Sequence, residues 1–201
     1  MAANYPDKRV RRSTADFQNA LFSLMEKNAF NDITITQIVN TAGYNRGTFY
    51  SHYKKKEDLL QELMDDMFEK MVKAYRQSYI DLSVIDLNEM PAESIVFFNH
   101  FYENKRFYKL MLEQRIKTNF TEKLIKQLDT LFRNDFRYPM QDNKEIDIYL
   151  FMSYRVYGTT GLIVEWIEND FQHSPSYLAS QIVRIYSSCT PVVYVREGIR
   201  G

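Results

Sequence analysis

Between Asn45 and Lys56 the chain reads Asn-Arg-Gly-Thr-Phe-Tyr-Ser-His-Tyr-Lys-Lys-Lys. Cations, hydroxyls and an imidazole recur there around large aromatic rings, a mixture suited to hydrogen bonding and ion pairing on a polyanion. If this stretch is helical, 100° per residue puts Phe49 and Tyr53 on one inward face and turns Gly47, Thr48 and Ser51 away from it. Arg46, Tyr50 and His52 fall on the flanks, and Lys54, Lys55 and Lys56 prolong a positive rim past the helix end. Set into the major groove of a duplex, the outward residues meet base edges and the flanking ones meet phosphates. Gly47 lets the backbone come close, and each cation at a phosphate adds affinity by releasing counterions.

No other constellation offers chemistry of comparable shape. The sequence has no metal-ligand cluster, no Gly-rich phosphate loop and no nucleophile elbow, so no enzyme, cofactor or metal site is expected. His100 and His173 stand apart from other such groups and read as ordinary, partly exposed residues.

The elements that must hold this stretch are legible on both sides. Phe17, Ala20, Leu21, Leu24 and Met25 form the stripe of an amphipathic helix over 13–28, with Ser13 as its expected N-cap. Thr34 and Gln37 match a capping box, and Ile33 with Ile38 match a hydrophobic staple, so a short helix is predicted from Ile35. It should stop at Gly43, which can take positive φ. Asn45 then caps a third helix after a tight Ala-Gly-Tyr-Asn turn, and two short helices so joined are a helix-turn-helix. A fourth helix is expected from about Lys56 to Tyr79, long enough to link two domains.

Beyond Pro91 the periodicity predicts helices near 92–103, 105–115, 119–137, 143–169 and 175–188. The fold class is therefore all-α, with a DNA-binding domain over 9–69 and a C-terminal domain over 70–201. Aromatics crowd the later helices, and each reads either as core or as wall of a ligand pocket. The ligand candidates are Phe97, Phe101, Tyr102, Met111, Tyr154 and Trp166, which would favour a flat or lipophilic small-molecule effector. Gly158-Thr159-Thr160-Gly161 puts small residues in mid-helix, either as a tolerated kink or where another backbone or a ligand approaches.

Charge agrees with a protein that touches nucleic acid with one end. The formal net charge is zero, yet residues 1–56 hold nine Lys/Arg against four acids, a net +5, leaving −5 on the remaining 145. A single cysteine, Cys189, excludes an intramolecular disulfide; it reads as a small packed residue, with a redox role the alternative. Neither a signal peptide nor an apolar run of membrane-spanning length is visible, so a cytoplasmic protein with no membrane partner is expected.

Residues 13–60, above all ITITQIVNTAGYNRGTFYSHYKKKEDLL, resemble the DNA-binding domain of the TetR/AcrR family of bacterial regulators. The resemblance implies that Thr36, Tyr50, His52 and Lys56 hold phosphates and that Arg46, Gly47, Thr48 and Ser51 sit at the bases. It further implies a homodimer through the last two helices, here 143–169 and 175–188, with Gly158, Gly161 and Leu162 at the interface. A ligand-responsive repressor released from a pseudo-palindromic operator is the function so implied; a helical adaptor of the same fold, acting through protein partners, is the alternative. Tyr44, Asn45 and Lys55 depart from the family's usual residues, and Lys55 in place of a small cap predicts fraying at the start of the fourth helix.

Overall fold

The computed structural model describes residues 5–91, 95–113, 119–139, 146–188 and 190–196. Cys189 lies outside them. The elements in chain order are α1 (Tyr5–Met25), a 3-10 turn (Phe30–Asp32), α2 (Ile35–Ala42), α3 (Arg46–Tyr50), α4 (Lys56–Gln77), β1 (Val84–Asp86), α5 (Phe97–Glu103), α6 (Lys105–Leu112), α7 (Phe120–Asp135), β2 (Phe136–Arg137), α8 (Ile148–Glu168), α9 (Pro175–Ser187) and β3 (Val192–Val195). The architecture is helical, as the apolar periodicity predicts. Two compact units divide the chain, residues 1–67 with 113–118 and residues 68–112 with 119–201.

In the N-terminal unit, Phe17, Leu21 and Met25 of α1 are fully buried together with Ile38 of α2 and Phe49 of α3. Phe17 is the hub, its ring 5.1 Å from Tyr44, 5.4 Å from Phe49 and 6.4 Å from Tyr53. Burying a Phe contributes roughly 1.5–3 kcal/mol, and tilted or edge-on ring pairs add about 0.5–1.5 kcal/mol each. α1 starts at Tyr5, so the reading of Ser13 as its N-cap is corrected. Ser13 lies inside the helix and is buried, its hydroxyl 3.2 Å from the Arg9 carbonyl oxygen and 3.0 Å from that of Val10. A serine that back-bonds to the preceding turn satisfies itself without ending the helix.

The C-terminal unit adds a feature absent from the sequence reading: a three-stranded antiparallel sheet in the order β1-β3-β2. Val84 pairs with Tyr194 and Arg137 also with Tyr194, so β3 lies between segments far away in the chain. Strands of two to four residues carry too little alternation to announce themselves. Around them, α5 packs on α9, and α7 and α6 pack on α8. α8 ends through two left-handed residues, Asp170 (φ 57°) and Phe171 (φ 56°), which fold the Phe171 ring to 4.7 Å from Trp166.

Candidate functional site

The two short helices of the N-terminal unit are defined by their caps. Thr34 Oγ1 accepts from the Gln37 amide at 3.2 Å and Gln37 Oε1 accepts from the Thr34 amide at 2.8 Å, closing the capping box. Gly43 ends α2 at φ 75°, and the Tyr44 amide returns to the Val39 carbonyl at 2.9 Å. Asn45 Oδ1 accepts from the Thr48 amide at 2.8 Å and opens α3. Ahead of α4, where Lys55 predicts fraying, the Asp58 carboxylate accepts from the amides of Lys54 and Lys55, each at 3.1 Å. That corrects the expectation: an acid in the first turn reaches back to the amides ahead of the helix and ties its start down, the reciprocal half of a capping box.

On this frame the inferred contact residues are sorted by exposure. Arg46, Gly47, Tyr50 and Ser51 are exposed, while Thr36, Thr48, His52 and Lys56 are half-buried and already engaged. The Arg46 guanidinium donates to Thr36 Oγ1, joining a base-facing candidate to a phosphate-facing one. Thr48 Oγ1 donates to Asn45 Oδ1 at 3.2 Å, and Ser51 Oγ donates to the Thr48 carbonyl at 2.7 Å. A Cβ added to Gly47 would stand 3.2 Å from Asn45 Oδ1, tight enough to press on the cap. Glycine there thus spares the cap.

Two of the inferred phosphate ligands also hold the unit together. Lys56 Nζ donates to the carbonyls of Phe30, Asn31 and Ile33 at 2.8, 2.9 and 2.6 Å and stands 4.8 Å from the Phe30 ring centroid. Its three donors close the 3-10 turn against the start of α4. His52 Nε2 lies 2.9 Å from Ser13 Oγ, which orients the imidazole from α1.

The sequence reading missed what α1 brings to this surface. Lys8, Arg9, Arg11 and Arg12 are exposed on its first turns. Tyr44 donates to Asp16 Oδ2 at 2.8 Å, which raises the hydroxyl's pKa, while the charges of Arg12 and Arg9 pull it down. The signal was present: Ser13 lies four residues before Phe17, so the stripe runs back into the basic segment.

In the C-terminal unit a cavity of about 100 Å³ is lined by residues of α4, α5, α7, α8, α9, β1, β2 and β3. Of the six ligand candidates, Phe97 alone lines it. Phe101 and Met111 are buried in the core, and Phe101 packs its ring 4.5 Å from Tyr108. Tyr102 and Trp166 stack at 6.5 Å, and Trp166 Nε1 donates to the His173 carbonyl at 2.9 Å. Tyr154 projects outward and shares a groove on α8 and α9 with Gly158, Gly161 and Leu162, the three interface candidates. A Cβ added to Gly158 or Gly161 meets nothing within 4 Å, so nothing among the described residues requires glycine there.

His100 corrects a further expectation, since it is buried rather than partly exposed. Its Nε2 is 2.7 Å from the Tyr108 hydroxyl, and burial, helped by the Lys70 charge, lowers its pKa to about 4. Asp135 is buried as well and receives Arg76 at 2.8 and 3.0 Å and the Tyr79 hydroxyl at 2.7 Å. Among the described residues no group of His, Cys, Asp and Glu is arranged to hold a metal, and no helix is long and apolar enough to cross a membrane.

Comparison with known proteins places this geometry. Residues 19–63 match the model of bacterial regulatory proteins of the tetR family, and residues 88–188 match that of a transcriptional regulator C-terminal region. In sequence the chain is 24% identical over 176 residues to the uncharacterized HTH-type transcriptional regulator YxbF of Bacillus subtilis strain 168, covering 86% of this chain and 44% of YxbF. It is 32% identical over 53 residues to DhaS, the HTH-type dhaKLM operon transcriptional activator of Lactococcus lactis, covering 26% of this chain and 28% of DhaS. The chain thus spans less than half the length of these relatives in the matched regions. The solved structure of the dihydroxyacetone kinase operon activator DhaS superposes with a TM-score of 0.60 at 20% identity, covering 88% of this chain and 94% of DhaS. SmeT, the repressor of the Stenotrophomonas maltophilia multidrug efflux pump SmeDEF, superposes at 0.56 with 15% identity, covering 92% of each chain. With a matched C-terminal region covering half of its length and the capped helix pair in front of it, the chain belongs to the TetR family of DNA-binding transcriptional regulators.

Proposed function

We propose that this chain is a ligand-responsive repressor of the cytoplasm, two copies of which bind a pseudo-palindromic operator and are released by a small molecule. The observation that carries the reading is the exposed edge of Arg46, Gly47, Tyr50 and Ser51 on a helix capped at Asn45 and backed by the Phe17 ring cluster. α3 enters the major groove, with Arg46, Gly47, Thr48 and Ser51 toward the bases and Thr36, Tyr50, His52 and Lys56 toward phosphates. The exposed cations of α1 extend the same positive surface. Functional domains at 9–69 and 70–201 accord with the break between compact units at Met67.

Dimerisation supplies the two-fold axis that a palindrome requires. The outward residues Tyr154, Tyr157, Leu162 and Ile185 on α8 and α9, with open space over Gly158 and Gly161, support an interface there. A ligand that fits only the dimer state with misplaced reading heads weakens DNA binding, and bound DNA weakens the ligand by the same factor. SmeT is a repressor of this fold. The activator DhaS favours a second reading, in which the same dimer switches transcription on.

Selection of bound sequences from a random DNA pool tests the reading. An inverted repeat with half-sites a helical turn or more apart is expected; recovery of unrelated sequences refutes it. Deleting the gene in a strain carrying that operator ahead of a reporter then separates repression from activation by the direction of the change.

A further inference from the structure

In the cavity of the C-terminal unit stands a cation with donors unused. Arg155 of α8 is 6% exposed and lines the cavity together with Tyr75, Phe97, Phe136, Ile182 and Val193. Its Cζ is 3.9 Å from the Tyr186 ring centroid, 4.9 Å from that of Tyr138 and 5.6 Å from those of Phe132 and Phe151. Rings at these distances attract the charge through their faces without pairing Nε or Nη1. Nε and Nη1 are buried and have no hydrogen-bond partner among the described residues. A buried donor left unpaired forfeits the hydrogen bond it had in water, so each favours an acceptor brought into the cavity. Asp135, the buried carboxylate of this unit, is taken by Arg76 and Tyr79.

We infer that the cavity takes a small monocarboxylate, its oxyanion on Arg155 and its compact apolar body among the aromatic walls. Nε and Nη1 lie on different edges of the guanidinium, so each edge carries an unused donor for a carboxylate. A volume of about 100 Å³ limits the body to a short branched chain, below the size of benzene, which apolar cavities of about 150 Å³ accept. The inference deepens the effector-binding reading of this unit and rests on it.

Calorimetric titration of the full chain with isobutyrate and isovalerate, each beside its neutral amide, tests the site. The acids should bind at least tenfold more tightly than the amides, and Arg155→Gln should remove that advantage while leaving amide binding unchanged. In 15N-labelled wild type the Arg155 Nε–H resonance should shift on adding either acid, which decides the matter even if Arg155→Gln fails to fold. Equal affinity for acid and amide, undiminished acid binding by a folded Arg155→Gln protein, or an unmoved resonance overturns the anion site. Operator release is scored separately. An acid that binds through Arg155 and leaves DNA bound upholds the site and refutes release, whereas release by a compound indifferent to Arg155→Gln refutes the site and upholds release.

Discussion

The caps of the helix pair in the N-terminal unit and the core of the C-terminal unit use polar side chains in different ways. The caps lie at the surface and are tied to neighbours three residues away, Thr34 with Gln37 and Asn45 with Thr48. In the core of the C-terminal unit the partners are distant in the chain and meet at buried groups, Asp135 receiving Arg76 and Tyr79, and Arg155 standing against Tyr186. A surface group with a local partner can exchange it for phosphate or a base edge at little cost, whereas a buried group that loses its partner finds no water. Polar deletions on the exposed face of α2 and α3 should therefore read out as DNA affinity, and deletions of buried polar groups as stability.

The largest effect is expected from Asp135→Ala, which strands the Tyr79 hydroxyl and the Arg76 guanidinium: about 3 kcal/mol of unfolding free energy by denaturant titration. A loss below about 0.5 kcal/mol would break the contrast between the units. Next, Gly47→Val should weaken operator binding by roughly 100-fold while costing about 1 kcal/mol of stability through the crowded Asn45 cap. Gly47→Ala brings the same Cβ without the branch, so it should share the stability cost and lose less affinity.

The pH dependence tests the buried half. With a folded pKa near 4 against an ordinary 6.5, His100 stays neutral in the native state while the unfolded chain takes up a proton. Its contribution is present above pH 6.5 and is lost as pH falls toward 4, by on the order of 2 kcal/mol. The acid-side loss measured by thermal denaturation should shrink in His100→Gln; an identical slope in both proteins would refute this assignment.

Smaller still, Gly161→Leu should raise the dimer dissociation constant by about tenfold without lowering protomer stability, since a Cβ there meets nothing within 4 Å and leucine is the better helix former. Sedimentation showing an unchanged dimer would move the interface elsewhere. Lys56→Met should cost about 1 kcal/mol of N-terminal stability, because Nζ closes the 3-10 turn. The salt dependence of DNA binding sharpens the comparison: an unchanged slope makes Lys56 a positioning residue, and a fall of about one unit makes it a phosphate ligand as well.

By itself the sequence determined what depends on near neighbours. The caps at Thr34 and Asn45, the left-handed stop at Gly43 and the inward turn of Phe49 and Tyr53 follow from residue type and spacing, because capping and helical phase act within one turn. Tertiary structure alone decided what depends on segments meeting. It made Ser13 a partner of His52, gave the Lys56 ammonium three carbonyls, laid β3 between β1 and β2, and set Phe97 on the cavity wall while leaving Phe101 in the core. It also left Arg155 ringed by aromatics with donors unused. Hydrogen bonds and burial across dozens of residues leave no period in the sequence, for they depend on which surfaces the packed helices bring face to face.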